Sequence, residues 1–266
     1  MMELFDTHAH LDFARYEDDR HQVIRRAAEA GVRHIVNVGA DLSSSLAGID
    51  LAGKYDGIRA TVGVHPHEAD SYDIDMAKKI RDLAERSQVV AVGETGLDYH
   101  YDNSPRPRQR QAFRSQLRLA ETLQMPVIIH SREAEDDTLE ILEEEWSGSS
   151  PAVVHCYSSS AGMARELVER GFYIGFTGLI TFSGLDWLRR IAADTPLERI
   201  LSETDSPYMS PEPERGRRNE PARVEQVVQQ IAECHDIPSE RAGEILLENG
   251  RRFFSMEDDS ILSAEG

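Results

Sequence analysis

Short apolar, β-branched runs alternate with amphipathic stretches along the whole chain. Runs such as Ile35-Val36-Asn37-Val38 and Val127-Ile128-Ile129 are nearly continuous in apolar residues. Strands of a parallel sheet covered on both faces read this way. The pattern predicts strands over residues 3–7, 33–39, 58–64, 89–93, 126–130, 152–156, 172–176 and 199–203. Between them apolar positions recur at helical spacing. Residues 16–30 set Val23, Ile24 and Ala27 on one stripe and stop at Gly31, a residue suited to a helix C-terminus. Ile80, Leu83 and Ala84 lie together within 74–86, and Phe113, Leu117 and Ala120 within 107–123. Helical patterns over 133–146, 162–170 and 185–193 continue the alternation, and 221–250 reads as two further helices. Repeated strand–helix order means an α/β fold with a parallel sheet. Eight such units in 266 residues fit one (β/α)8 TIM barrel, which takes about 250 residues. Residues 1–254 are expected to form this single domain, and the acidic segment 255–266 to fray.

Composition narrows the setting. Hydrophobic residues make up 40% of the chain, enough for a sizeable core. No run approaches the roughly 18 apolar residues of a membrane span, and the first ten residues lack the basic start and apolar stretch of a signal peptide. A cytoplasmic protein away from the membrane is expected. Cys156 and Cys234 make no disulfide framework, which fits a reducing compartment. The formal net charge is −19, and Lys54, Lys78 and Lys79 are the lysines. Such a surface repels nucleic-acid phosphates at long range. Any nucleic-acid substrate must therefore be held locally. The same balance would suit a salt-rich cytoplasm.

The histidines are not scattered. His8 and His10 follow the first predicted strand, and His65 and His67 the third. Glu94 follows the fourth. His130 closes the fifth, His155 the sixth, and Glu203-Thr204-Asp205 the eighth. In a barrel these C-terminal strand ends converge on one rim, where such folds carry their active sites. His21, His34, His100 and His235 lie elsewhere and read as structural. In an extended segment residues i and i+2 face the same way, so His8 and His10 can share one ion. Buried imidazoles without metal would each need partners for both nitrogens.

Imidazole with carboxylate suits zinc, manganese or iron, and added carboxylate admits magnesium. Six ligands exceed what one catalytic ion with an open position takes. They divide between two: His8, His10 and Asp205 for one, His130 and His155 for the other, with Glu94 bridging. Paired ions clamp the attacking and leaving oxygens of a phosphoryl displacement and acidify a shared water. Asp205 is placed to orient that water or take its proton. No lysine ends a predicted strand, so a carboxylated-lysine bridge has no candidate here.

Taken together these residues resemble the TatD family of metal-dependent deoxyribonucleases. The matching segments are Asp6-Thr7-His8-Ala9-His10-Leu11, Gly63-Val64-His65-Pro66, Gly93-Glu94-Thr95-Gly96-Leu97-Asp98-Tyr99, His130-Ser131-Arg132, His155-Cys156-Tyr157 and Ser202-Glu203-Thr204-Asp205-Ser206-Pro207-Tyr208. Arg215-Gly216 and Asn219-Glu220-Pro221 look like the family's final motif. The resemblance implies a distorted (β/α)8 barrel, two divalent cations (Mg2+, Mn2+ or Zn2+) and phosphodiester hydrolysis, mainly from the 3′ ends of DNA. Carried over position by position, it implies the ligands His8, His10, Glu94, His130, His155 and Asp205.

Further roles are assigned with their structural alternatives. Glu94, Asp205 and His65 are the catalytic candidates; His65 would donate to a phosphate oxygen, or else only support a ligand. Arg132, Arg215 and His67 are candidate substrate contacts, for each of which a structural ion pair or hydrogen bond is the alternative. Tyr99 and Tyr157 could stack on a base or pack in the core. Cys156, pointed away from His155 by strand alternation, is not proposed as a nucleophile. The expected substrate is single-stranded or frayed DNA, shortened from its 3′ end to nucleoside 5′-monophosphates, with no obligate protein partner. The alternative is hydrolysis of an amide, lactone or ester bond in a small metabolite, because fold and metals do not fix substrate.

Overall fold

Each predicted apolar run forms a strand in the computed structural model, which describes residues 2–256 and 261–263. The strands are β1 (Leu4–Ala9), β2 (Val32–Asn37), β3 (Ile58–Val62), β4 (Val89–Asp98), β5 (Val127–Arg132), β6 (Ala152–Val154), β7 (Tyr173–Phe176) and β8 (Ile200–Ser202). They pair in sequence order, all parallel. The helices are α1 (Arg20–Glu29), α2 (Leu42–Ala52), α3 (Ile74–Ala84), α4 (Arg106–Leu123), α5 (Glu135–Glu145), α6 (Ala161–Glu169), α7 (Asp186–Asp194), α8 (Val224–Cys234) and α9 (Ser239–Phe254).

Side chains of the sheet alternate between two layers. Phe5, Val36, Ala91, Ile128, Val153, Tyr173 and Leu201, from seven of the strands, form one buried cluster with Phe253 and Phe254 of α9. This is the barrel interior, closed at its N-terminal end by the two α9 rings. Leu4, Ile35, Ile58, Val92, Val127, Val154, Ile174 and Ile200 face the other way, into the layer between strands and helices.

The barrel is a distorted one. Between β1 and β2 the register runs from Asp6↔Ile35 to Ala9↔Asn37, so β1 holds one extra residue around Thr7 and His8. Between β4 and β5 it runs from Val92↔Val127 to Thr95↔Ile129, so β4 holds one extra around Gly93 and Glu94. Such bulges bend a strand and re-aim its side chains. At the β8–β1 seam the chain is joined largely through side chains. Thr7 Oγ1 donates to the Ser202 carbonyl at 3.0 Å, and Ser202 Oγ to that of Phe5 at 3.2 Å. The Thr204 amide and hydroxyl both donate to Asp6, at 2.8 and 2.6 Å.

Several boundaries differ from the sequence reading. β4 runs on to Asp98 because Leu97 and Asp98 pair with Ser131 and Arg132 of β5. Helix α1 starts at Arg20, after a short 3-10 turn over Ala14–Tyr16 that buries the Tyr16 ring. Helix α2 has no counterpart among the predicted helices. Its buried positions are Ser45, Gly48 and Leu51, too small and polar to make an apolar stripe. Asp41 starts it with a capping box, accepting from the Ser44 amide at 2.7 Å while its own amide donates to Ser44 Oγ at 2.9 Å. Of the segment expected to fray, residues 257–260 and 264–266 lie outside the described residues. Leu262, however, is buried and its amide donates to the Arg33 carbonyl at 2.7 Å.

Candidate metal centre

The two bulges place their residues at the C-terminal rim with Glu94 between two histidine pairs. Its Oε2 faces His8 Nε2 at 3.5 Å and His10 Nε2 at 4.0 Å. Its Oε1 faces His155 Nε2 at 2.6 Å and His130 Nδ1 at 2.9 Å. Asp205 Oδ1 lies 3.4 Å from His10 Nε2 and 3.9 Å from His8 Nε2. The five other residues picked from strand ends therefore gather around Glu94, His8, His10 and Asp205 on one side and His130 and His155 on the other. Asp205 is held at φ 53, left-handed backbone that aspartate adopts more readily than most non-glycine residues. Gly96, at φ 137, admits the close approach of β5: a Cβ there would lie 2.0 Å from the His130 carbonyl oxygen.

The arrangement suits cations better than protons. His8 Nε2 and His10 Nε2 oppose each other at 3.3 Å, as do His130 Nδ1 and His155 Nε2. Two imidazole lone pairs that meet repel unless a proton or a cation lies between them. His8 Nδ1 and His155 Nδ1 are buried without a hydrogen-bond partner. Oxygen and nitrogen donors converging in this way fit a divalent ion of the zinc, manganese or magnesium type.

Burial and facing charges compete at each group. It lowers His8 and drives His65 well below the ordinary imidazole range, leaving both neutral. Burial would also lower His10, but its hydrogen bond to Asp205 and the charges of Asp205 and Glu94 push it up to about 9. Burial would raise Glu94, yet the facing His155 and His65, with hydrogen bonds from His130 and His155, hold it well below the carboxylate range.

Two acids that sequence reasoning left without a role support these groups. Asp98 Oδ2 bonds both His130 Nε2 at 3.1 Å and His67 Nε2 at 3.0 Å, fixing the ring edge opposite the one that faces Glu94. Both Glu94 and Asp98 lie on β4, but the sequence reading ended that strand at residue 93 and so left Asp98 out. Glu203, also buried, accepts from the Cys156 amide at 2.5 Å and lies 3.7 Å from His155 Nδ1. His8, His155 and Glu203 bring ligand atoms within 4.8 Å of one another. Gly175 leaves the room this carboxylate needs, since a Cβ there would meet its two oxygens at 2.7 and 2.8 Å.

The remaining candidates separate. His65 Nε2 lies 3.5 Å from Glu94 Oε1 while its Nδ1 accepts from the His67 amide at 3.1 Å. His67 is taken up by Asp98. Arg132 lies 4.9 Å over the Tyr101 ring. Arg215 is not joined to the cluster among the described residues: it lies 4.4 Å over Phe182 and 3.9 Å from Glu212. Tyr157 is buried, with its hydroxyl donating to the Ser160 carbonyl at 2.6 Å, so it cannot stack on a base. Tyr99 is half-buried and donates to Asp137. Cys156 lies beyond the end of β6 at φ 43, so strand alternation does not aim it. Burial raises its thiol well above the usual range, which leaves it a poor nucleophile.

Comparison with known proteins covers nearly the whole chain. The family model for TatD-related DNases matches residues 5–255. YabD, an uncharacterised metal-dependent hydrolase of Bacillus subtilis, is 41% identical over 255 residues, covering 94% of this chain and 98% of that protein. The 3′-5′ ssDNA/RNA exonuclease TatD of Yersinia pseudotuberculosis is 38% identical over 262 residues, covering 95% and 100%. The crystal structure of a TatD homologue from Escherichia coli K12 superposes with a TM-score of 0.89 at 31% identity, covering 95% and 98%. Among the described residues no helix is long and apolar enough to cross a membrane.

Proposed function

The chain belongs to the TatD family and is a metal-dependent hydrolase acting on ester bonds, and on that premise we propose that it is a 3′-to-5′ exonuclease of single-stranded or frayed DNA using two divalent cations. The observation that carries a paired centre is the split of Glu94, one oxygen toward His8 and His10 and the other toward His130 and His155. His8, His10 and Asp205 would hold one cation, His130 and His155 the other, with Glu94 shared. Bound there, the cations supply positive charge to the scissile phosphate and acidify the attacking water.

The protein's own groups have distinct tasks. The Asp205 carboxylate orients the attacking water or accepts its proton. Neutral His65 donates from Nε2 to a non-bridging phosphate oxygen. Asp98 keeps the His130 ring in register, and Glu203 backs His155. The water oxygen bonds to phosphorus, the bond from phosphorus to O3′ of the preceding nucleotide breaks, and that O3′ takes up a proton. The product is a nucleoside 5′-monophosphate. The name of the Yersinia relative supports this direction and a single-stranded substrate.

The test is a time course by mass spectrometry on 3′-labelled and 5′-labelled oligonucleotides with Mg2+, Mn2+ and Zn2+ in turn, beside a circular single strand. Loss of one nucleotide at a time from the 3′ end, with the circle intact, is expected. Rapid cutting of the circle would make the enzyme an endonuclease. No cleavage of nucleic acid with any metal would move the activity to an ester, lactone or amide of a small metabolite.

A further inference from the structure

Exposed large aromatic side chains among the described residues are Tyr101, Trp187 and Tyr208, and all three follow C-terminal strand ends. Trp187 lies in the first turn of α7; the exposed large aliphatic residues Leu46 and Ile74 also lie on outer helices, and Ile261 lies near the C-terminus. Two of the three rings adjoin the metal centre, one on each side. Tyr208, 41% exposed, meets Phe13 edge to face at 5.9 Å, and Phe13 stacks on the candidate ligand His10 at 4.9 Å. Tyr101, 55% exposed, meets His67 edge to face at 5.5 Å, and His67 shares Asp98 with the candidate ligand His130.

Each tyrosine also carries an arginine. Arg15 lies 5.3 Å over the Tyr208 ring and Arg132 4.9 Å over that of Tyr101. The chain has 48 acidic residues against 29 basic ones, yet neither guanidinium is ion-paired among the described residues, whereas Arg110, Arg114 and Arg218 each bind two or more carboxylates. An open ring beside a cation without a carboxylate is matched to a nucleotide: the ring takes the base, and the guanidinium a flanking phosphate. Stacking of this kind tolerates any base sequence and does not need a broad basic face.

We propose that Tyr208 with Arg15 and Tyr101 with Arg132 form two nucleotide clamps, which hold the bases on either side of the scissile phosphate of a single strand. Phe13 is the positioning residue of the first clamp and His67 that of the second. The proposal rests on the nuclease reading of the centre and adds which residues bind the strand. It also accounts for how an acidic protein retains DNA: binding is confined to the two nucleotides next to the cations.

The test compares Tyr101→Ala and Tyr208→Ala with the Phe substitutions on a short single-stranded oligonucleotide. Both side chains are exposed, so the variants fold. Each Ala variant should raise KM by about fivefold to about 160-fold, the range for one stacked base, with kcat within about twofold, and Phe should restore KM. The penalty should vanish when the nucleotide at one position next to the scissile phosphate is abasic, at opposite positions for the two tyrosines. A 2-aminopurine at that position should be quenched by the wild-type protein and not by the matching Ala variant. Wild-type KM in both Ala variants, with DNA still hydrolysed, would overturn the clamps and leave the nuclease reading standing. A wild-type protein that neither binds nor cleaves DNA with any of the three metals would overturn both.

Discussion

Replacing Glu94 with Gln isolates the charge at the centre from its shape. The Glu94 side chain is 4% exposed, so solvent screens it little. Its oxygens lie within 4.0 Å of nitrogens from His8, His10, His65, His130 and His155. Two unit charges about 4 Å apart interact by about 4 kcal/mol at an effective dielectric near 20. A hundredfold loss in rate, about 2.7 kcal/mol in barrier, is less than one such interaction. The amide must also choose a side. Its N–H2 faces either His8 and His10 or His130 and His155, and the pair it faces is opposed by hydrogens where a cation would be held. Glu94→Gln should therefore lose at least about a hundredfold in kcat and retain at most one metal equivalent, with circular dichroism unchanged. Turnover on a 5′-labelled oligonucleotide and elemental analysis of dialysed protein measure these. Near-normal turnover with two equivalents bound would refute a shared Glu94.

Four further outcomes follow from the same geometry. His8→Ala with His10→Ala should empty one cation site and leave the other partly filled by elemental analysis, and full occupancy would sink that ligand assignment. Gly175→Ala should cost about 1–3 kcal/mol by urea denaturation, because the new Cβ overlaps the Glu203 carboxylate; Glu203→Ala should recover part of it, and strictly additive losses would contradict the contact. Asp19 is held low by hydrogen bonds from Arg218 and Arg26, Asp137 by Arg110 and Tyr99, and Glu145 by Arg118 and Arg114. Carboxyls depressed on folding add stability that is complete above their ordinary values of 3.8 and 4.5 and is lost as pH falls through the lower folded values, so the urea midpoint should drop in that acid window and Arg218→Ala should flatten its Asp19 component. With a net charge of −19, about 1 M KCl, where the screening length is about 3 Å, should raise the urea midpoint, and a midpoint that falls would remove the case for a salt-adapted surface.

What the sequence made legible is the part set by local pattern. Alternation put His8 and His10 on one side, and strand ends brought Glu94, His130, His155 and Asp205 to one rim. What it hid depends on neighbouring chains. The extra residues in β1 and β4 are defined only against β2 and β5, so the strands that carry His8 and Glu94 were read as ending early. Helix α2 buries serine and glycine rather than an apolar stripe. The choice among tyrosines was equally hidden: Tyr157 sits beside a ligand in sequence yet is buried, while Tyr101 and Tyr208 project from loops whose course no periodicity records. The position of Arg215, over Phe182 rather than against the cluster, was hidden for the same reason, being set by the long loop after β8.

The seam between β8 and β1 joins stability to chemistry. Main-chain pairing is thinnest where the barrel closes, and the main-chain bonds retained there lie beside the candidate ligands, as do the side-chain bonds that supplement them. The Asp205 amide donates to the His8 carbonyl at 2.9 Å, and the His10 amide to the Ser206 carbonyl at 2.8 Å. The Thr204 amide and hydroxyl hold Asp6, two residues before His8. Closing the barrel and bringing Asp205 against His10 are therefore one event. A fully laddered seam would leave less freedom for the left-handed turn at Asp205 and the bulge at His8. The side-chain seam gives up regular hydrogen bonds and gains a rim where Asp205 of one edge faces His8 and His10 of the other. It follows that cation binding should tie β1 to β8, and that loss of the cations should loosen this seam before any other part of the barrel. Hydrogen exchange at the Asp205 and His10 amides, with and without chelator, would read that loosening directly.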